Sequence, residues 1–485
     1  MKPYLLLPVV GALSAALTWG ALSVGRAAGG KPRVRYVRMT KTASPVAGDE
    51  EGGRGWWEEQ RFAEYAEKQG WGNLRLKVKT TVGDYLQKYV ASAVAGESPD
   101  TIQLTPEDIA YWYDHGLLEP LDPYIEKWKA YREGHINKEV LDLCRGVNGE
   151  VLCLSAVRHG PAMWGVRRDW LERLGLPVPT TWAQAREVWR AFTFRDPDGN
   201  GQDDTYGFCI EMKTARGEHT GSIEPFLFAA GVRWIKVLPG GKVAPAFNVP
   251  EAAETLDFIK QCYKEGLFGK DVMYRTDEMG AGTRFFAERR GGMTYGIYPN
   301  FYKGVALQYG MFDKTTPIPF LWKDDDFRRK GIYGTTTFLS GPRCILKTCK
   351  DKDAAWKFLE YWLSPEALTQ AFSKRGNGRE RYIGRFGLYQ TDTPWMTLRS
   401  DVVSEAKVDP WIEELARPLD PYVVPPPSVA SWSEITRNLA EVFVDYYLDR
   451  YPTAQAALDA AESRFVRILD AYETELAASR KRSDS

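Results

Sequence analysis

Five oxygen-bearing side chains stand at alternate positions in the stretch DPDGNGQDD: Asp196, Asp198, Asn200, Gln202 and Asp204, with Gly201 at the sixth place. A tight turn of this kind converges hard oxygens on one point, and glycine reaches backbone angles that few other residues do, which is the chemistry of a calcium loop. The Glu that closes the helix-loop-helix calcium motif at its twelfth position is absent, because Gly207 stands there. The spacing is therefore open to two readings, a structural calcium site or an Asx-rich turn without an ion. Nothing else in the sequence requires a cofactor.

A second group of residues could recognise rather than ligate. The chain holds 17 Trp and 25 Tyr, more aromatic surface than core filling demands. Flat rings match the CH faces of pyranose sugars, and fixed polar groups match their hydroxyls. The candidate rings are Trp56 and Trp57 just before the first helix, Tyr85 after the second strand, Tyr298, Phe301 and Tyr302 after a later strand, and Trp432 beyond the run Pro425-Pro426-Pro427. Each has a plain alternative as core or interlobe packing. The candidate polar groups are Thr40, Thr105, Arg158, His159 and Thr336, which fall at strand ends or at a chain crossing. Arg158 either holds a carboxylate or sulfate of the ligand bidentately or forms an ion pair within the protein. The catalytic signatures GxxxxGK[ST], HExxH and GxSxG are missing, which weighs against, without eliminating, an enzyme acting on carbohydrate.

Lys and Arg together number 64 and so do Asp and Glu, so no global field gathers nucleic acid or anionic membrane. The N-terminus has one Lys, an apolar run from Tyr4 to Val24 and small residues from Gly25 to Ala28. This pattern is an export signal, cut near Ala27 or retained as a membrane anchor. Export permits disulfides among the six cysteines. Cys144 and Cys153 bracket Asn148-Gly149, a hairpin turn signal, and are the first-choice pair; Cys344 with Cys349 is the second, weighed evenly against the alternative that the cysteines are small buried hydrophobes.

The elements that must position these residues alternate. Arg33 to Thr40 suits a strand, Trp57 to Gln69 a helix, Leu74 to Thr81 a strand, and Thr101 to Leu104 a short buried strand. Such alternation builds a mostly parallel α/β sheet that binds ligands at the carboxyl ends of its strands. Beyond the hairpin, Thr181 caps a helix, Glu251 to Glu265 forms another, and Met293 to Gly304 reads as a strand ending in an aromatic loop. Tyr333 to Leu346 reads as a strand, Ala355 to Leu363 as a helix, and the tail as a helix with Leu458, Ala461, Phe465, Ile468, Leu469 and Tyr472 on one stripe.

Six segments, in order, resemble the extracellular solute-binding proteins of family 1, the maltose-binding-protein-like partners of sugar-importing ABC transporters. They are Ser98 to Trp128, Arg167 to Glu187, Asp196 to Phe208, Met293 to Tyr302, Asp353 to Ala367 and the helical region from Pro427. The resemblance implies the type II periplasmic binding protein-like fold: two α/β lobes, joined by hinge strands, that close on ligand. Residues 31–154 and 339–372 would form the N-terminal lobe, and 155–338 with 373–485 the C-terminal lobe, after a signal in 1–30. It implies a non-catalytic periplasmic or extracellular monomer that takes a carbohydrate, with a membrane permease and no nucleic acid as partner. A membrane-anchored sugar-sensing ectodomain is the alternative.

Overall fold

The computed structural model describes residues 34–42, 54–81, 88, 89, 92, 98–215, 217–274, 281–337, 339, 341–372, 396–401, 410–425 and 427–483. The N-terminal signal and Tyr85 lie outside them. The strands that matter are β1 (Arg35–Thr42), β2 (Leu74–Thr81), β3 (Thr101–Gln103), β4 (Val157–Arg158), β5 (Met163–Arg167), β6 (Tyr206–Phe208), β7 (Gly291–Ile297), β8 (Thr315–Ile318), β9 (Thr335–Thr336), β10 (Arg343–Ile345), β11 (Met396–Thr397) and β12 (Val423–Val424). The principal helices are α1 (Arg54–Lys68), α2 (Pro106–Asp114), α3 (Trp182–Phe194), α4 (Glu218–Ala229), α5 (Pro250–Lys264), α6 (Ala281–Ala287), α7 (Pro299–Gln308), α8 (Lys352–Trp362), α9 (Trp432–Tyr447) and α10 (Ala454–Ser483).

The first sheet has the order β10-β3-β1-β2. β1 pairs in parallel with β2 from Arg35↔Leu74 to Thr42↔Thr81 and with β3 on its other side, while β10 is antiparallel to β3. Alternation sets its faces: Val37, Met39, Leu76 and Val78 are buried and Tyr36 is exposed. α1 and α8 cover the buried face, where Phe62 meets Phe358 edge-on at 5.8 Å.

The second sheet has the order β8-β5-β7-β6, with β6 and β7 parallel and β5 antiparallel to both its neighbours. Its core is ring on ring: Trp189 of α3 stacks on Phe208 at 4.9 Å, and Trp164 meets Phe226 of α4 at 5.1 Å. The sheet therefore belongs to a separate core that runs on through α5, α9 and the first half of α10.

Three crossings join these lobes. Leu154 to Arg158 runs through the middle, with Leu154↔Arg343 and Arg158↔Leu339 on one side and β4 antiparallel to β11 on the other. Leu398 bonds back to Ala156 at 3.0 Å and packs in the first core, although the sequence reading placed residues 373–485 in the C-terminal lobe. α10 also reaches the first lobe, where the Tyr472 hydroxyl donates to Asp114 at 3.1 Å.

The Asn148-Gly149 hairpin forms, with Arg145↔Val151 paired and Gly149 at φ 94°. The expected Cys144–Cys153 bridge does not. All six cysteines are buried free thiols, Cys344 and Cys349 included. The reason is local: the Cys144 thiol donates back to the Val140 carbonyl at 3.4 Å, and that of Cys153 donates toward the Cys144 carbonyl at 3.9 Å. The neighbouring Cys144 sulfur and burial together hold the Cys153 thiol well above the usual thiol range.

Candidate functional site

The two sheets define where a ligand can sit. In the first lobe the parallel strands end at Thr42, Thr81 and Gln103, and antiparallel β10 begins at the same edge with Arg343 opposite Gln103. In the second, β6 and β7 end at Phe208 and Ile297, with Met163 beside Ile297. Loops at the carboxyl ends of parallel strands are the binding edge of an α/β sheet.

At the second lobe's edge the structure brings together Arg158, His159, Tyr298 and Thr336. The ring centres of His159 and Tyr298 lie 5.5 Å apart. The Thr337 hydroxyl donates to the His159 carbonyl at 2.7 Å, tying the crossing segment to the chain that returns after β9. The Tyr295 hydroxyl accepts from the Thr336 amide at 3.3 Å and lies 3.1 Å from the Thr335 hydroxyl. Burial raises the Tyr295 pKa, so its hydroxyl stays protonated.

Arg158 resolves one open reading. It is 3% exposed, and its Nη2 donates to Asp420 at 2.6 Å. Its charge is answered inside the protein, so it is an ion pair within the chain and not a free grip for a ligand carboxylate. The first lobe repeats this at Arg343, which contacts Glu58 at 2.5 Å and lies 4.0 Å over the Trp362 ring. Glu58 belongs to the N-terminal half of α1, on the helix that covers the first sheet. A third buried pair follows β6: Glu211 lies 3.6 Å from Arg284 of α6 and 3.8 Å from Lys213. Beside it His219 is wholly buried, one ring nitrogen 2.8 Å from the Glu211 carbonyl and the other 3.2 Å from the Tyr447 hydroxyl. Burial pulls its pKa down to about 4, so the ring is neutral at pH 7.

The other expected residues are placed as follows. Thr40 is half-buried inside β1, not at its end. Thr105 is at the edge as the residue before α2, its hydroxyl donating to Asp108 at 2.9 Å. Trp56 and Trp57 belong to α1 itself, and their side chains lie outside the described residues, as does that of Phe301. The aromatic loop after β7 is instead helix α7, because Pro299 at its first position is pre-set for helical angles. That turns Tyr302 into the core: it is fully buried, edge-on to Phe286 at 5.3 Å. Trp432 is likewise core and not crevice, 6% exposed and packed on Trp234 at 6.3 Å, because it opens the amphipathic helix α9.

The expected calcium loop is a turn closed by its own hydrogen bonds. Asp196 accepts from the amides of Gly199, Asn200 and Gly201 at 2.9, 3.1 and 3.0 Å, and the Asn200 side-chain amide donates to Asp198 at 3.0 Å. Those amides hold the Asp196 carboxyl below the usual range, while burial and the neighbouring carboxylates raise Asp198. Among the described residues no cluster of three or more His, Cys, Asp or Glu is placed to hold a metal. Asp196, Asp198, Asn200, Gln202 and Asp204 form the Asx-rich turn.

Sequence reasoning missed Glu58, Asp420, Glu211, Tyr295 and Arg343. No local signal marks them, since Arg158 and Asp420 are 262 positions apart and only the fold joins them.

Two α/β lobes linked by three crossings have the type II periplasmic binding protein-like fold. A family model described as bacterial extracellular solute-binding protein matches residues 60–378, more than half of the chain, and the chain belongs to that family. Lipoprotein LipO of Bacillus subtilis (strain 168) is 31% identical over 191 residues, 39% of this chain and 37% of that protein. The polygalacturonan/rhamnogalacturonan-binding protein YtcQ of the same organism is 29% identical over 160 residues, 32% of this chain and 30% of that one. The matches thus span about a third of those relatives' own length, 37% and 30%. An ABC transporter solute-binding protein from Thermotoga lettingae TMO, bound with alpha-D-tagatose, superposes with a TM-score of 0.63 at 18% identity, covering 90% of this chain and 100% of that one. No helix among the described residues is long and apolar enough to cross a membrane.

Proposed function

We propose that the chain captures an uncharged carbohydrate in the crevice between its lobes and passes it, chemically unchanged, to the membrane permease of an ABC importer. The observation that carries this is the electrostatics of the edge. Arg158 and Arg343 are each neutralised by a carboxylate, which leaves the His159–Tyr298 ring pair and the Thr105 and Thr336 hydroxyls to meet a ligand. Rings with hydroxyls suit a sugar, and paired guanidiniums do not suit an acid. The polygalacturonan and rhamnogalacturonan named for the YtcQ relative and the tagatose of the superposed structure support carbohydrate as the class, and of these tagatose is the uncharged one. The protein acts outside the cytoplasm as a monomer, carried there by its N-terminal apolar segment, and it binds without turnover.

Thermal shift and calorimetry across neutral and acidic oligosaccharides test the reading. A neutral oligosaccharide at about 100 times its Kd stabilises the native state by about 2.7 kcal/mol. It is recovered intact, and it binds about tenfold more weakly to Tyr298→Ala. Cleavage of the ligand, or Tyr298-dependent binding of an acidic oligomer as tight as any neutral one, overturns it.

A further inference from the structure

Arg233 is a half-buried guanidinium with no carboxylate partner among the described residues. Its Nη1 donates to the Val232 carbonyl at 2.8 Å, its Nη2 lies 3.5 Å from the Tyr333 carbonyl, and its Cζ sits 5.5 Å from the centre of the Phe228 ring. The other sequestered arginines differ. Arg158 has Asp420, Arg167 has Asp169, Arg343 has Glu58 and Arg399 has Asp401. Removing a cation from water without a counter-charge costs free energy that a bound anion returns. Consistent with this, burial alone acts on Arg233, and it lowers the pKa.

A cavity of about 480 Å³ opens at this side chain, within the size range of small-molecule sites. Phe228, Trp234, Tyr333, Pro421 and Tyr422 line it with flat apolar surface, and Arg233 is the one lining residue with a charged side chain. The Tyr333 and Tyr422 rings stand perpendicular at 5.9 Å, so they form a corner and not a filled stack. The hydroxyl of Tyr333 is engaged inward with the Trp164 indole at 3.2 Å, which fixes its ring as wall. Gly331, at φ 64°, brings the chain past Tyr422 at the mouth, where a Cβ would come within 3.8 Å of the Tyr422 hydroxyl. None of the crevice residues Arg158, His159, Tyr298 and Thr336 lines this cavity.

We propose that this cavity is a second ligand site, separate from the crevice, that takes a monosaccharide-sized ring bearing one carboxylate, of the hexuronate class. The ring lies on the aromatic corner, and the carboxylate takes the guanidinium in the fork geometry that arginine favours. One cation matches one negative charge, and the volume admits a single ring or two.

D-galacturonate is the probe and D-galactose its uncharged control, with binding followed by calorimetry and located by hydrogen–deuterium exchange. Galacturonate should protect residues 228–235 and 417–425, and galactose should not. Arg233→Met should weaken that binding at least about tenfold, the loss expected for a charge-assisted contact, and Arg233→Lys should retain part of it. Circular dichroism and melting establish that each variant is folded, and Tyr422→Ala supplies an independent loss if Arg233→Met is not. The proposal fails if galacturonate protects only segments around 158–159 and 298, if galactose binds equally at 228–235, or if folded Arg233→Met binds as wild type does. An anion held by Arg233 irrespective of a ring, shown by acetate competing at equal affinity, also overturns the assigned class. Of these outcomes only protection at 158–159 and 298 bears on the crevice, whose own test depends on Tyr298; the others concern the second site alone.

Discussion

Replacing His219 by Gln should flatten the acid sensitivity of the second lobe. The ring is sealed between Glu211, Tyr447 and helix α4, and burial lowers its pKa from 6.5 to about 4. Because the folded value lies below the unfolded one, the unfolded chain takes the proton first. Stability is therefore complete above about pH 6.5 and is lost as the pH falls toward 4. Each pKa unit is worth about 1.36 kcal/mol, so between pH 7 and pH 5 this one side chain removes about 2 kcal/mol. The Gln variant starts lower, by about 1–3 kcal/mol for hydrogen bonds it remakes imperfectly, but lacks that component. Urea denaturation followed by circular dichroism at pH 7, 6 and 5 would show the two proteins converging as the pH drops. Carboxylates held below their usual range by basic partners, such as Glu265 beside Arg190 and Arg186, act equally in both and cancel in the comparison. Parallel pH profiles for the two proteins would refute the account of a sealed neutral imidazole.

Removing Arg158 alone by Arg158→Met takes the guanidinium from Asp420 and should cost about 3 kcal/mol, while Arg158→Met with Asp420→Leu should recover most of it; equal losses in the single and double variants would count against the pair. Tyr302→Ala empties part of the core and should destabilise by about 3–5 kcal/mol without changing ligand preference, whereas Tyr298→Ala should weaken ligand with little change in melting. Calcium or a chelator should leave the melting temperature unmoved, and Asp196→Ala should cost about 1 kcal/mol through its lost amide contacts; a calcium-dependent rise would restore the ion. Unfolding without reductant should expose six titratable thiols, and four or fewer would mean that a bridge forms after all.

Much of the architecture was legible in the sequence because period and punctuation carry it. β2 falls at Leu74–Thr81 as alternation dictates, and the hairpin forms at Asn148-Gly149 as its turn chemistry demands. Where the reading failed, a competing force decided. Pro299 started a helix where a loop was expected, and that carried Tyr302 inward. The single strand expected over Tyr333 to Leu346 is two, β9 and β10, separated by the crossing between lobes, a change of partner that no periodicity records. The site was legible only in part. Position along the chain pointed to Arg158, His159 and Thr336, yet the partner that fixes the role of Arg158 stands at residue 420, and burial of a ring such as Trp432 is settled by the far side of a helix.

The threefold crossing has a consequence for the order in which the molecule can be made. The first sheet leaves one side of β3 open until Arg343–Ile345 arrives, and the core beneath it is incomplete without Leu398. For some four-fifths of its synthesis the chain thus holds an unfinished half-domain, with backbone amides and apolar side chains still unclaimed. A polypeptide that matures beyond the cytoplasm gains from that delay, since a translocation channel passes a slack thread more readily than a finished globule.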